Sequence, residues 1–224
     1  MFITEKLINI IAPHTCLVCN SEGKILCNWC RPDFCSPLPS RCYSCHALTD
    51  NFAVCESCKK NSALRHVWVV TEYNANAKVL LEKLKFNRAN SAALEIATFL
   101  DETLPFLDEK VVMSHLPTAT SRRRQRGYDQ SELIAGHLAA FRGLPHKTLL
   151  MRNGQSRQVG ASRQKRIKQM DVAFTPVISK DLQKATILLI DDLTTTGSSL
   201  ESAARVLKKA GVKKVYAATF AQKL

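Results

Sequence analysis

Two stretches of the chain bring chemically capable residues together at short spacing. Eight cysteines form four Cys-x-x-Cys pairs: Cys16/Cys19, Cys27/Cys30, Cys42/Cys45 and Cys55/Cys58. A two-residue spacer lets one tight turn aim two thiolates at a common point, which is half of a tetrahedral zinc site, so four halves make two sites. Pairing in sequence order puts Cys16, Cys19, Cys27 and Cys30 on one Zn2+ and Cys42, Cys45, Cys55 and Cys58 on the other, closing loops of seven and nine residues. Cross-braced pairing is equally compatible with the spacing. One pair could serve thiol redox chemistry, but four within 43 residues would be redundant. Four thiolates leave no open coordination position, so both ions are expected to be structural, and their removal should unfold the segment. Cys35, in the apolar Phe34–Leu38 connection, reads as a buried free thiol.

The second stretch is Ile187-Leu188-Leu189-Ile190-Asp191-Asp192-Leu193-Thr194-Thr195-Thr196-Gly197-Ser198-Ser199-Leu200. Four consecutive apolar residues predict a strand buried on both faces, with two carboxylates at its C-terminal end, where open α/β sheets bind ligands. Asp191 and Asp192 can accept hydrogen bonds from a vicinal diol. The hydroxyl-rich loop that follows leads into a helix whose first N–H groups and dipole make an anion cradle. A diol reader beside a phosphate reader describes a ribose 5-phosphate site, with Thr194, Thr195, Thr196, Gly197, Ser198 and Ser199 as phosphate ligands. The plainer explanation, a turn and a helix cap, accounts for the Ser and Thr but not for the paired acids.

The elements that must position these residues follow from periodicity. Residues 66–73 and 111–116 read as strands, 77–86, 92–100 and 131–141 as helices, and 186–190 and 215–220 as strands around a helix over 200–210 that Gly211 ends. Strand, helix, strand at this spacing predicts right-handed βαβ connection and a mostly parallel sheet. The expected division is a zinc-ribbon domain over 1–62 and an α/β domain over 63–224.

Composition separates the two parts in the same way. The 224 residues include 46% hydrophobic and 23% charged side chains, which excludes a disordered or low-complexity chain. Lys and Arg total 32 against 19 Asp and Glu, a formal charge of +13. Residues 1–60 hold six of those cations and five of the acids, so nearly all the excess lies in residues 61–224. Such a balance favours an anionic partner, and single-stranded DNA bound through its backbone fits better than sequence-specific readout, because no recognition-helix motif is present. No apolar run reaches the roughly 20 residues of a transmembrane helix. The apolar residues of Met1–Ala12 are interrupted by Glu5 and Lys6, which reads as a mature cytoplasmic N-terminus whose apolar face docks on the protein itself.

The 187–200 stretch resembles the phosphoribosyl diphosphate (PRPP) motif of type I phosphoribosyltransferases. With Arg126-Gly127-Tyr128-Asp129-Gln130 upstream, Gln158 through Arg166 to Ala173-Phe174 between them, and the cysteine-rich front, the chain resembles the ComF family of competence proteins along essentially its whole length. The family's usual Asn is replaced here by Asp129 and by Gln169. The resemblance implies an α/β fold of the type I phosphoribosyltransferase kind, a parallel sheet preceded by a small zinc-ribbon domain with four-cysteine sites. It implies that Asp191 and Asp192 hold the ribose of PRPP, and that Arg122, Arg123, Arg124, Arg126 and Gly127 form a loop for pyrophosphate with Mg2+, or for DNA. Arg157, Gln158, Arg163 and Arg166 would belong to a mobile basic loop. The implied role is handling of incoming single-stranded DNA during natural transformation, in the cytoplasm or at the inner face of the membrane through a helicase-type competence partner. The alternative is an active phosphoribosyltransferase acting on a small acceptor with no DNA role. No catalytic base stands out, since none of the six histidines lies in these motifs.

Overall fold

A computed structural model describes residues 14–85, 89–108, 110–153 and 173–224. The elements run α1 (Glu56–Lys59), β1 (Leu64–Glu72), α2 (Ala75–Lys83), α3 (Ala89–Thr103), β2 (Val111–His115), α4 (Thr120–Arg126), α5 (Gln130–Arg142), β3 (Leu150–Arg152), β4 (Phe174–Pro176), β5 (Thr186–Thr194), α6 (Ser198–Lys209) and β6 (Lys214–Gln222). Strands β1, β6, β5 and β2 form one parallel sheet in that order, and β3 and β4 a separate antiparallel pair.

The sheet divides the interior because successive strand residues face opposite sides. On β5, Leu188 and Ile190 join a cluster with helices α2, α3 and α5, whereas Ile187 and Leu189 join one with α6 and the β3–β4 hairpin. Strands β1, β2 and β6 divide in the same way, with Trp68, Met113 and Phe220 on the first face and Val67, Val112 and Val215 on the second. Helix α6 sits on its face because Leu200, Ala203, Ala204 and Leu207 recur at helical spacing and are all buried. It ends before Gly211, whose φ of +98° supplies the left-handed turn anticipated there.

The cysteine-rich segment wraps the β1 edge of this sheet. Ile25, Leu26, Phe34 and Cys35 enter the first cluster, and Cys42, Tyr43 and Val54 the second. Between them the chain crosses the strand edge, with Pro37 bridging to Thr71 and Leu38 N donating to Val70 O at 3.4 Å. Val54 N donates to Arg65 O at 2.9 Å farther along the same edge. The segment thereby covers backbone groups that an edge strand would otherwise present to another chain.

Two expectations are corrected. Strand β5 continues through Asp191 and Asp192 to Thr194, because β6 pairs with it as far as Gln222; Thr194 is therefore a buried strand residue and not part of the loop. Residues 120–126 form a helix, not a loop, since Arg and Gln are good helix formers and Gly127 caps the turn at φ +82°. Arg157, Gln158, Arg163 and Arg166, and the apolar residues of 1–13, lie outside the described residues.

Candidate functional site

Two four-sulfur clusters are already assembled. The ligand atoms of Cys16, Cys19, Cys27 and Cys30 lie within 4.8 Å of one another, as do those of Cys42, Cys45, Cys55 and Cys58, so the pairing follows sequence order and is not cross-braced. Zn–S bonds of about 2.3 Å in a tetrahedron require sulfurs about 3.8 Å apart. Cys19 and Cys27 are 3.7 Å apart and Cys45 and Cys55 3.4 Å, close to that requirement. Cys27 N points at Cys16 Sγ from 3.5 Å, the kind of donor that steadies a thiolate. The residues therefore fit two structural zinc ions. Cys35 belongs to neither cluster; burial pushes its thiol up to about 12, which leaves it unreactive at neutral pH.

The second constellation forms where β5 runs into α6. Asp191 Oδ1 accepts from Ser131 Oγ on α5 and from the Asp192 amide, both at 3.0 Å. Burial, then the charge of Asp192, holds Asp191 well above the ordinary carboxylate range, and burial likewise raises Asp192. Two neighbouring acids whose ionisation burial opposes are a cost to the fold. The chain then turns through Thr195 and Thr196 to Gly197, the N-cap of α6, at φ +70° and without a side-chain cap. Thr195, Thr196 and Ser199 are exposed beside the first turn of α6, whose amides have no acceptor within the helix.

Asp129 sets the wall beside the acids. It is buried, accepts from Thr118 N at 2.7 Å and Thr118 Oγ1 at 3.0 Å, and caps α5 by accepting from Ser131 N at 3.2 Å. One carboxylate thus ties the β2–α4 connection to the helix that carries Ser131. Gln130 beside it accepts from Arg126 through Oε1, while its buried Nε2 has no hydrogen-bond partner among the described residues.

Comparison with known proteins places this arrangement. A phosphoribosyl transferase domain family matches residues 144–224, which contain β5, the loop and α6. Competence protein ComFC of Bacillus subtilis (strain 168) is 26% identical over 222 residues, covering 88% of this chain and 89% of that one. Competence protein F of Haemophilus influenzae is 23% identical over 171 residues, covering 72% and 75%. The chain is similar to these competence proteins over most of its length. Among solved structures, a glutamine PRPP amidotransferase from B. subtilis, complexed with ADP and GMP, overlays 58% of this chain and 26% of its own at TM-score 0.43 and 17% identity.

The structure brings some anticipated residues together and separates others. Asp191, Asp192 and Thr195–Ser199 are contiguous around the end of β5, and the metal ligands around two points. Arg122, Arg123 and Arg124 are exposed on α4, past the end of β2 and on the same edge of the sheet, with no acid paired to them among the described residues. Arg126 is instead held inward by Gln130. Ser131, Thr118 and Asp129 escaped the sequence reading as supports; the Asp at the α5 N-cap was their one signal. His115 and His146 also escaped it. They meet at 3.3 Å, His115 buried at the end of β2, and burial lowers the pKa of both. Trp68 is buried and Tyr128 donates to Leu84 O at 2.6 Å. Exposed rings stand elsewhere, at Trp29 and Phe106.

No described helix is long and apolar enough to cross a membrane.

Proposed function

We propose that the protein binds PRPP with Mg2+ at the end of β5 and single-stranded DNA across its basic surface, as a ComF-type component of DNA uptake. The observation that carries the first half is the pair Asp191–Asp192, raised by burial, directly before a Gly197 turn that opens the α6 N-terminus. Asp191 and Asp192 would hold the ribose hydroxyls and Thr195, Thr196, Gly197, Ser198 and Ser199 the 5-phosphate. Arg122, Arg123 and Arg124 would meet pyrophosphate or DNA from α4. Mg2+ would neutralise the pyrophosphate when bound. Residues 1–62 serve in this reading as a metal-folded unit and 63–224 as the ligand-binding unit, working in the cytoplasm with a helicase-type partner.

The second half rests on charge. Residues 61–224 carry 26 cations against 14 acids once the front segment is set aside, more than a small-molecule site requires. Asp191→Ala with Asp192→Ala should abolish PRPP binding and leave DNA affinity intact; loss of both would refute separate sites. Replacing Arg122, Arg123 and Arg124 by Ala should weaken single-stranded DNA and reduce the slope of affinity against salt by about three contacts' worth. An unchanged slope would remove α4 from the DNA footprint. Release of pyrophosphate from PRPP with a small acceptor, with no DNA binding at low salt, would replace this reading by that of a phosphoribosyltransferase.

A further inference from the structure

The second four-cysteine cluster lies directly behind the Gly197 turn. A Cβ built on Gly197 would stand 2.4 Å from both Cδ2 and Cε2 of Tyr43, so the Tyr43 ring occupies the place of a side chain at position 197. Tyr43 follows Cys42, and both are buried. Its hydroxyl donates to Glu201 Oε2 at 2.9 Å and lies 3.1 Å from Ser62 Oγ. Glu201, in the first turn of α6, also receives Ser62 Oγ at 2.8 Å, Ala63 N at 2.8 Å and Arg205 Nε at 2.9 Å. At the other end of the residue, Gln222 Nε2 on β6 donates to Tyr43 O at 3.1 Å. The Gly197 cap has no side-chain hydrogen bond of its own, so its packed support comes from this ring.

We propose that Tyr43 is a positioning residue: carried on the second metal knuckle, it braces Gly197 and the first turn of α6 so that their amides are held open for a phosphate monoester. The inference rests on the reading of this loop as a phosphate site. Two features make the contact specific. Only glycine admits the ring at this distance, and Glu201, a carboxylate that would repel a phosphate, is saturated by donors on the side of Tyr43 and Ser62. A consequence is reciprocal linkage: metal on the second cluster stabilises the loop, and a bound phosphate stabilises the knuckle.

The test uses the zinc-loaded full chain without ligand and follows amide hydrogen exchange at residues 195–199, with ribose 5-phosphate affinity measured in parallel by calorimetry. Tyr43→Ala should speed exchange there by about tenfold or more while β2 amides keep their protection, and should weaken ribose 5-phosphate by about tenfold. Tyr43→Phe, which keeps the ring, should restore wild-type exchange. Gly197→Ala should disturb the loop far more beside Tyr43 than in the Tyr43→Ala background, where the ring no longer blocks the new methyl group. If Tyr43→Ala loses zinc, Tyr43→Leu, which keeps an apolar side chain but not the ring, takes its place: faster exchange at residues 195–199 with zinc retained supports the ring contact, and unchanged exchange overturns it. Unchanged exchange in a zinc-retaining Tyr43→Ala overturns the proposal. Wild-type protein that binds no ribose 5-phosphate, yet shows the expected exchange pattern, leaves the bracing contact standing and removes the phosphate reading.

Discussion

In the first knuckle Asn20, and in the second His46, stands four residues after the leading cysteine at nearly the same left-handed φ, +60° and +61°, with its amide donating to that cysteine's carbonyl at 3.0 and 2.9 Å. The bridges Thr15–Glu22 and Arg41–Leu48 close the two turns at matching positions. Built alike, the knuckles are moored to opposite faces of the sheet. The first is fixed by Arg31, which pairs with Glu95, bonds Glu102 at 2.9 and 3.0 Å and lies 4.3 Å over the Phe99 ring on α3. Phe34 stacks on the same Phe99. The second is fixed by Tyr43 to the Gly197 turn and Glu201. The residue after the leading cysteine differs accordingly: Leu17 packs into the helical cluster, Tyr43 against the candidate site. One four-cysteine unit thus packs on the helical face, and the other on the loop that carries the candidate site.

The largest effects should come from removing each knuckle in turn. Cys16→Ser with Cys19→Ser, or Cys42→Ser with Cys45→Ser, should each cost more than about 4 kcal/mol by chemical denaturation, since metal binding and folding are coupled. Only the second pair should also speed exchange at residues 195–199; the same loop response to both would erase the distinction. Arg31→Ala comes next, with about 1–2 kcal/mol lost as the cation–π contact and ion pairs to α3 disappear. PRPP affinity in that variant should be unchanged.

Glu201→Gln should cost about 1 kcal/mol, because four donors lose their charged acceptor. Burial works against ionisation of Glu201, but hydrogen bonds from Ala63 N, Arg205, Ser62 and Tyr43 outweigh it and depress its pKa. Its contribution is therefore complete above the ordinary carboxylate range and falls away as pH drops through the depressed value. Thermal scans of wild type and variant should begin to converge only as pH falls below the ordinary glutamate value of about 4.3. The smallest effect has the opposite sign. Asp192→Asn removes a carboxylate whose pKa burial raises, together with the charge that helps to raise Asp191, so stability should increase at pH 7 by about 1 kcal/mol, or about 2–4 °C in Tm. A raised carboxyl costs stability as pH climbs through its folded value, so the gain should vanish near pH 4. A destabilised Asp192→Asn at pH 7 would mean the acids are structural.

Much of this was legible in the sequence, for reasons of locality. The Cys-x-x-Cys pairs, the apolar run of β5 and the Thr-Thr-Gly-Ser-Ser turn each declare their chemistry within a few residues, and the structure keeps each intact. The order of pairing was not legible, because two turns of identical spacing say nothing about which neighbour they meet. The end of β5 was misplaced because its length is set by β6, whose partner register is a tertiary fact. The arginines were expected in a loop because the resemblance implies a pyrophosphate loop after that strand, yet their helix propensity prevailed over residues 120–126. Tyr43 carried no signal: its contact with Gly197 joins residues far apart in the chain, and a Tyr between two cysteines resembles any knuckle residue. Asp129 was legible only as a departure from the usual Asn; that it caps α5 and also holds Thr118 is a tertiary fact.

In the proposed function the Gly197 turn receives the 5-phosphate of PRPP. Phosphorus NMR of PRPP with Mg2+, titrated with zinc-loaded protein, tests it on the ligand's own atoms. The account predicts a saturable shift or broadening of the 5-phosphate resonance that Asp191→Ala with Asp192→Ala abolishes. A 5-phosphate signal that stays unperturbed while the pyrophosphate resonances move, or no change in any of them, would contradict it.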